Sequence, residues 1–303
     1  MTRRGWLLFT TLCVLWGIPY LLIKVAVRDL TPATLVFLRT AIGALLLVPL
    51  ALRSGALRPL LPHWRAVLAY TVAELAVPWV LLADAERRLS SSLAGLLVAA
   101  VPLAGVAVSA VSGGRERADG RRGVGLALGL VGVVTLLGFD PSGADPLTMG
   151  EMVLVVLGYA VGPAIVARRL GHLPAFGVVA ASLVLCAIGY APLGLAQLPA
   201  TLPAPEVLGA VLVLGVVCTA TAFVVFFALI GEVGPVGATV VAYVNPAVAV
   251  GLGVLLLGEP FTLPIACGFV LILGGSVLST GPTGTGRVTP GDAAREPSSR
   301  GAP

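Results

Sequence analysis

The chain has 303 residues, 58% of them hydrophobic and only 11% charged, and its mean hydropathy is +1.04. A typical soluble domain carries about 25% charged residues, so a cytosolic enzyme, a disordered chain and a secreted disulfide scaffold are excluded. The net charge of +5 sits in short basic clusters between long unbroken apolar runs, which indicates an all-α integral membrane protein and not a barrel or a nucleic-acid binder.

A membrane-crossing helix needs about 20 apolar residues. Ten runs qualify, at 6–27, 34–52, 64–83, 92–111, 124–139, 149–167, 175–195, 207–230, 236–257 and 261–280. Arg3 and Arg4 precede the first. They read as its cytoplasmic anchor and not as an export signal, because the run continues without a small-residue cleavage site and further runs follow. The stretch 281–303 is rich in Gly, Pro, Ser and Thr, which predicts a disordered cytoplasmic tail.

With the N-terminus inside, fourteen of the 19 basic residues fall on inner segments and only Arg28, Arg87 and Arg88 on outer loops. Lys24, the one lysine, and Arg39 lie inside runs. The outer loops take the acids Asp29, Asp84, Glu86, Asp140, Asp145, Glu206 and Glu259. This bias predicts ten spans in the plasma (inner) membrane with both termini cytoplasmic. The four cysteines occupy separate apolar runs and read as small core residues, while His63 and His172 lie in loops beside arginines and read as solvated. No metal, cofactor or catalytic set is expected.

The chain also repeats itself. Glu116, Gly125 and Gly132 match Glu259, Gly268 and Gly275 at the same spacing, and Pro102 and Pro246 precede them at nearly the same distance. The predicted units are a first five-helix repeat over 1–140 and a second over 147–280. Five is odd, so the second unit enters from the opposite face, giving two inverted repeats around a central cavity. Loop charge and helix termination account for Glu116 and Glu259 without a functional role.

Within the runs, ionisable groups are costly and are functional candidates by default. Glu74 lies mid-span, four residues before a kink at Pro78. It reads either as a substrate-ammonium ligand or proton carrier, or as the ion-pair partner of Arg39. Arg39 could hold a substrate carboxylate or lock helix packing. Trp16, Tyr20 and Lys24 form one stripe on the first helix, with Lys24 close enough to the outer surface to snorkel. Gly17 beside them loosens the helix. In the second half the polar candidates are Tyr159, Tyr243 and Asn245, the last beside Pro246. Glu151 reads as solvated at the outer mouth.

Several of these residues resemble the EamA-type branch of the drug/metabolite transporter superfamily. They are Leu15-Trp16-Gly17 and Ile23-Lys24-Val25-Ala26 on the first helix, Pro32 and Arg39 on the second, and Ser90 to Leu96 followed by Pro102. Gly258-Glu259-Pro260 with Gly268 and Gly275 completes the set. The corresponding stretch of the first half, Gly114-Arg115-Glu116-Arg117, departs from the pattern. The resemblance implies ten helices in two inverted units, with helices one, three, four, six, eight and nine lining the cavity. It implies efflux of small metabolites such as amino acids, or of hydrophobic cations and drugs. The expected partners are a small-molecule substrate and the lipid bilayer, with a homodimer left open. A membrane-embedded lipid-modifying enzyme and a non-transporting scaffold are the contrary readings. GxSxG, HExxH and P-loop signatures are missing from the sequence, and scaffolding needs no two-fold access.

Overall fold

The computed structural model describes residues 1–111, 120–139, 145–238 and 240–280, and every regular element among them is helical. Each predicted run falls on one helical rod. The rods are α1 (Arg3–Ala26), α2 (Pro32–Arg53), α3 (Arg58–Ala85), α4 in two pieces (Ser91–Val98 and Val101–Val111) and α5 (Gly120–Phe139). They continue as α6 (Pro146–Leu170), α7 (Ala175–Ala196), α8 (Pro205–Gly234), α9 (Val241–Leu257) and α10 (Leu263–Thr280). Seven of them (α1–α4 and α6–α8) are long and apolar enough to cross a membrane, while the apolar stretches of α5, α9 and α10 are shorter. Glu116 and the 281–303 tail lie outside the described residues.

The rods begin where short polar side chains can cap them. Thr2, Thr31, Ser90 and Asp145 each accept from backbone amides of the first turn, and Pro32 and Pro146 follow two of these caps at positions needing no donor. Gly258 ends α9 in the left-handed conformation (φ 66°), which a side chain would oppose.

The interior is mainly Leu, Ala and Val, as in a soluble protein, but the outer surface is not. Large apolar side chains face outward, Leu255 being 80% and Leu263 77% exposed, while Thr34, Thr40, Ser91, Ser182, Thr219 and Ser276 are fully or almost fully enclosed. An outer surface of this kind is matched by hydrocarbon and not by water. Lipid tails are as apolar as leucine, so the helices associate through close backbone approach at small residues. One such case, reciprocal between the two helices, is α5 against α10. A Cβ placed on Gly125 would lie 2.7 Å from the Gly275 carbonyl oxygen, and one on Gly275 would lie 2.5 Å from that of Gly125. One on Gly132 would lie 2.9 Å from the Ile272 nitrogen, and one on Gly268 3.2 Å from the Gly132 oxygen. Rising numbers on α5 meet falling numbers on α10, so the two are antiparallel. The four glycines picked out by spacing therefore meet one another, 125 with 275 and 132 with 268.

Candidate functional site

The interior ionisable groups come from four rods. On α3, the helix widens over Thr71–Ala76 into turns with i→i+5 bonding, and Glu74 sits there. Pro78 lacks the N–H that would bond the Glu74 carbonyl, which accounts for the irregular turn on its N-terminal side. A second widened segment, Val216–Thr221, lies in α8, where the Thr221 hydroxyl bonds back to the Val216 carbonyl at 2.9 Å. Glu74 and Thr219 are the fourth residues of their respective segments. Glu74 is half-buried, and its Oε2 is enclosed without a hydrogen-bond partner. Gly162 on α6 leaves room for the carboxylate: a Cβ there would collide with it.

Arg39 on α2 is 8% exposed. Its Nε donates to the Thr219 hydroxyl at 2.9 Å and its guanidinium lies 3.7 Å over the Trp79 ring. The alternative in which it pairs with Glu74 is corrected: Glu74 is in none of the ion pairs among the described residues. The hydroxyl and the ring face hold Arg39 in place without the Glu74 carboxylate, and they engage only one of the five guanidinium N–H donors. Tyr20 on α1 and Tyr159 on α6 stand in the same electrostatic neighbourhood as Arg39, and Tyr159 also lies between the fields of Glu74 and Glu86.

Glu86 was missed at the level of sequence, where it read as an outer-loop acid. It is 0% exposed, and neither carboxylate oxygen has a hydrogen-bond partner. Lys24 does not snorkel. Its Nζ donates at 2.7 Å to the carbonyls of both Glu86 and Leu89, closing the C-terminal end of α3 and the turn after it. Glu259 is likewise more than a loop charge. Its carboxylate accepts from the backbone and side chains of Ser91 and Ser92, sitting on the N-terminus of α4. Glu151 is 8% exposed and not solvated, because Arg88 reaches it at 2.6 Å and Asp84 at 2.8 Å. Arg88 also bonds the Thr148 hydroxyl, and that hydroxyl bonds Asp145. A Glu within reach of a loop arginine was the available signal for this network; Glu86 offered none.

The remaining candidates divide. Tyr20 is buried beside Gly95 of α4. Trp16 packs on Phe226 and Phe223 of α8, with ring centroids 4.9 and 6.0 Å away, so the α1 stripe serves two different contacts. Asn245 on α9, with its amide oriented to suit its neighbours, donates to the carbonyls of Val241 and Cys13 and so joins α9 to α1. Tyr243 is half-buried two residues earlier. Gly17 lets Val248 of α9 close on α1. Pro246 is buried within a continuous α9, while Pro102 follows the break in α4. His63 and His172 face each other, with Nε2 atoms 3.4 Å apart. A hollow of about 690 Å3 lined by Leu30, Leu38, Ile42 and Leu212 is apolar, and none of the buried carboxylates lines it.

The EamA-like transporter family matches residues 3–138 and again 149–281. The chain is 33% identical over 260 residues to a protein named "Uncharacterized inner membrane transporter YedA" of Escherichia coli K12, and equally to those of strains O6:H1 and O157:H7. The match covers 82% of this chain and 81% of theirs. A solved crystal structure shares the fold with a TM-score of 0.65 at 23% identity, over 92% of this chain and 97% of that one.

Proposed function

The chain belongs to the EamA-like transporter family and is a multi-pass membrane transporter, and from that premise we propose that it moves small metabolites, amino acids or related amphipathic compounds, by alternating access. The membrane is the plasma (inner) membrane and the direction efflux. The carrying observation is the set of ionisable groups, Arg39, Glu74, Glu86, Tyr20 and Tyr159, held inside a lipid-facing shell. Isolated charges in a hydrocarbon environment are retained where they handle polar cargo. Glu74 offers a carboxylate to an ammonium group and Arg39 a guanidinium to a carboxylate, so a zwitterion fits the pair.

Ten spans in two inverted repeats are supported by which connections touch, and cytoplasmic termini by the basic residues of the inner segments. Ten alternating spans put the turns at 27–31, 86–90, 140–145, 197–204 and 258–262 on one side. Asp29 accepts from the Ala204 nitrogen, Thr31 bonds Gln197, Arg88 reaches Asp145, and Glu259 holds Ser91. The other side receives the N-terminus and the connections near 63, 172 and 232. There Arg4 pairs with Glu232 and His63 meets His172. These contacts all join connections of one side. The reciprocal glycine contacts of α5 and α10 are what a two-fold relation between repeats requires. The two matched segments support a duplication with units 1–140 and 147–280.

The test is counterflow by purified protein in liposomes, with labelled amino acids and hydrophobic cations, alongside Glu74→Gln. Amino-acid counterflow that falls at least tenfold in folded Glu74→Gln (about 1.4 kcal/mol) is the expected result. Unaltered counterflow and pH dependence in that variant would move Glu74 to a structural role. A hydrophobic-cation exporter is the second reading, favoured by the ring cluster of Trp16, Phe223, Phe226 and Phe227. Movement of cationic dyes alone would select it. Silence on every substrate from folded protein would refute both. We assign no cofactor and no enzymatic step, and a homodimer is tested by cross-linking in the membrane.

A further inference from the structure

Glu86 and Lys24 present an unfinished pairing. A carboxylate with both oxygens enclosed and undonated is among the costliest states a side chain can adopt. An ammonium sits in the same neighbourhood, close enough to act on Glu86 electrostatically. It nevertheless spends its donors on the main-chain oxygens of residues 86 and 89, at 2.7 Å each. That choice is reasonable when the carboxyl group is neutral, and it becomes the poorer choice once the group is charged.

We propose that Glu86 is the proton-binding group of this transporter, and that Lys24 is the element that responds to its occupancy. The proposal rests on the transporter reading above and adds the ion that the site exchanges. With Glu86 protonated, Lys24 clamps the α3–α4 turn. When the carboxylic O–H breaks, the proton passes to water and the electron pair stays on the carboxylate. The still-protonated Lys24 then turns from the two carbonyls to the carboxylate. The turn loses its clamp.

The consequences follow from what the turn holds. Arg88 and Leu89 both donate their amides to the Ala85 carbonyl, at 2.9 and 2.8 Å. Ser90 caps α4, and Ser91 and Ser92 hold Glu259 from the other half of the chain. Releasing residues 86–89 therefore loosens the seam between α3, α4 and the turn after α9. The groups facing Glu86 are Lys24 and Tyr20 on α1, Arg39 on α2, Tyr159 on α6 and Glu259 after α9. Arg28 in turn faces Lys24. Burial holds the Glu86 carboxyl well above the usual carboxylate range, Lys24 and Arg39 oppose this, and Glu259 adds to it. The turn is accordingly clamped at low pH and released as pH rises.

Hydrogen exchange of the wild-type protein in lipid nanodiscs tests this without a known substrate. Amides of residues 88–93 are followed from about pH 5.5 to about pH 8.5, after correction for intrinsic exchange. Protection in the wild type is expected to fall about tenfold over that range. Glu86→Gln, a mimic of the protonated acid, is expected to stay protected throughout, and Glu86→Asp to restore the pH response. Lys24→Met is expected to exchange fast at every pH. A pH-independent wild type, or a Glu86→Gln variant that responds like the wild type, overturns the proposal. In liposomes, Glu86→Gln should keep counterflow of any solute found to move but lose its accumulation by a pH gradient. Accumulation by the variant equal to wild type also overturns it. If the exchange response is present while no solute moves, the transport reading fails and the proton site stands. If solute moves with no exchange response, the reverse holds.

Discussion

Placing a methyl group on Gly125 probes whether α5 and α10 truly meet backbone to backbone. The added Cβ would lie 2.7 Å from both the Gly275 oxygen and the Ser279 nitrogen. Neither is the end of a flexible side chain, so the helices must part by about 0.7 Å to reach ordinary contact. Overpacking of this sort costs about 1–3 kcal/mol, offset by at most about 1 kcal/mol from the better helix propensity of alanine. The expected net loss for Gly125→Ala is about 1–2 kcal/mol, and Gly275→Ala should match it, since its Cβ would strike Gly125 and Gly129. The double variant is expected to lose less than the sum by about 1 kcal/mol, because the first methyl opens the gap the second needs. Gly189→Ala on α7 is the control: nothing lies within 4 Å of its Cβ, so only the propensity gain remains. Reversible unfolding in mixed micelles measures all four. Neutral single variants at 125 and 275, or strict additivity, would refute the close approach.

Three further outcomes follow from the site. Thr219→Val keeps the shape but removes the acceptor of the Arg39 Nε, and should cost about 1–3 kcal/mol of stability; equal unfolding midpoints for variant and wild type would remove Thr219 from that role. Glu259→Ala strips four acceptor contacts from Ser91 and Ser92, and should cost about 1–2 kcal/mol with faster exchange at the α4 N-terminus alone; uniform acceleration along α4 would point to general loosening instead. Asp145 caps α6, and the hydroxyl and amide of Thr148, then the Leu147 amide, hold its carboxyl below its usual value. Its folded-state value lies below the unfolded one, so the contribution is full above the ordinary aspartate range and is lost as pH falls through the depressed value. Exchange at Leu147 and Thr148 should therefore rise on acidification in the wild type and not in Asp145→Asn.

Helix positions were legible because a 20-residue apolar run reports depth in the membrane. Direction around the helix axis is a separate matter. Glu86 follows the last residue of α3, where a hydropathy profile sees only a loop acid, yet the turn aims it inward. Lys24 had a near surface to reach and turned instead to carbonyls presented by another rod, 62 and 65 residues away. Thr219 carries no charge to mark it in a hydropathy profile, and its partner Arg39 is 180 residues distant. The repeat could have found it. Glu74 and Thr219 hold the same place in the two widened segments, so the second position deserved the weight given to the first. The glycine spacing pointed to a repeat, but spacing alone does not say that α5 and α10 touch, as Gly125 and Gly275 do.

The two ends of the bundle are tied unequally among the described residues, and this bears on how such a molecule could work. At the end that carries the N-terminus Arg4 meets Glu232 at 3.3 Å, but the arginine side chain is 73% exposed, and a pair so wet contributes at most about 1 kcal/mol. At the opposite end Glu259 draws on four donors and Arg88 reaches Asp84 and a nearly enclosed Glu151. Lys24 adds two charge-assisted bonds there. Charge-assisted bonds in partly dry surroundings are each worth more than a solvated pair. Opening that second end is thus the costlier step. A transporter must lower that cost at the right moment, and Glu86 lies where losing one proton takes two of those bonds away.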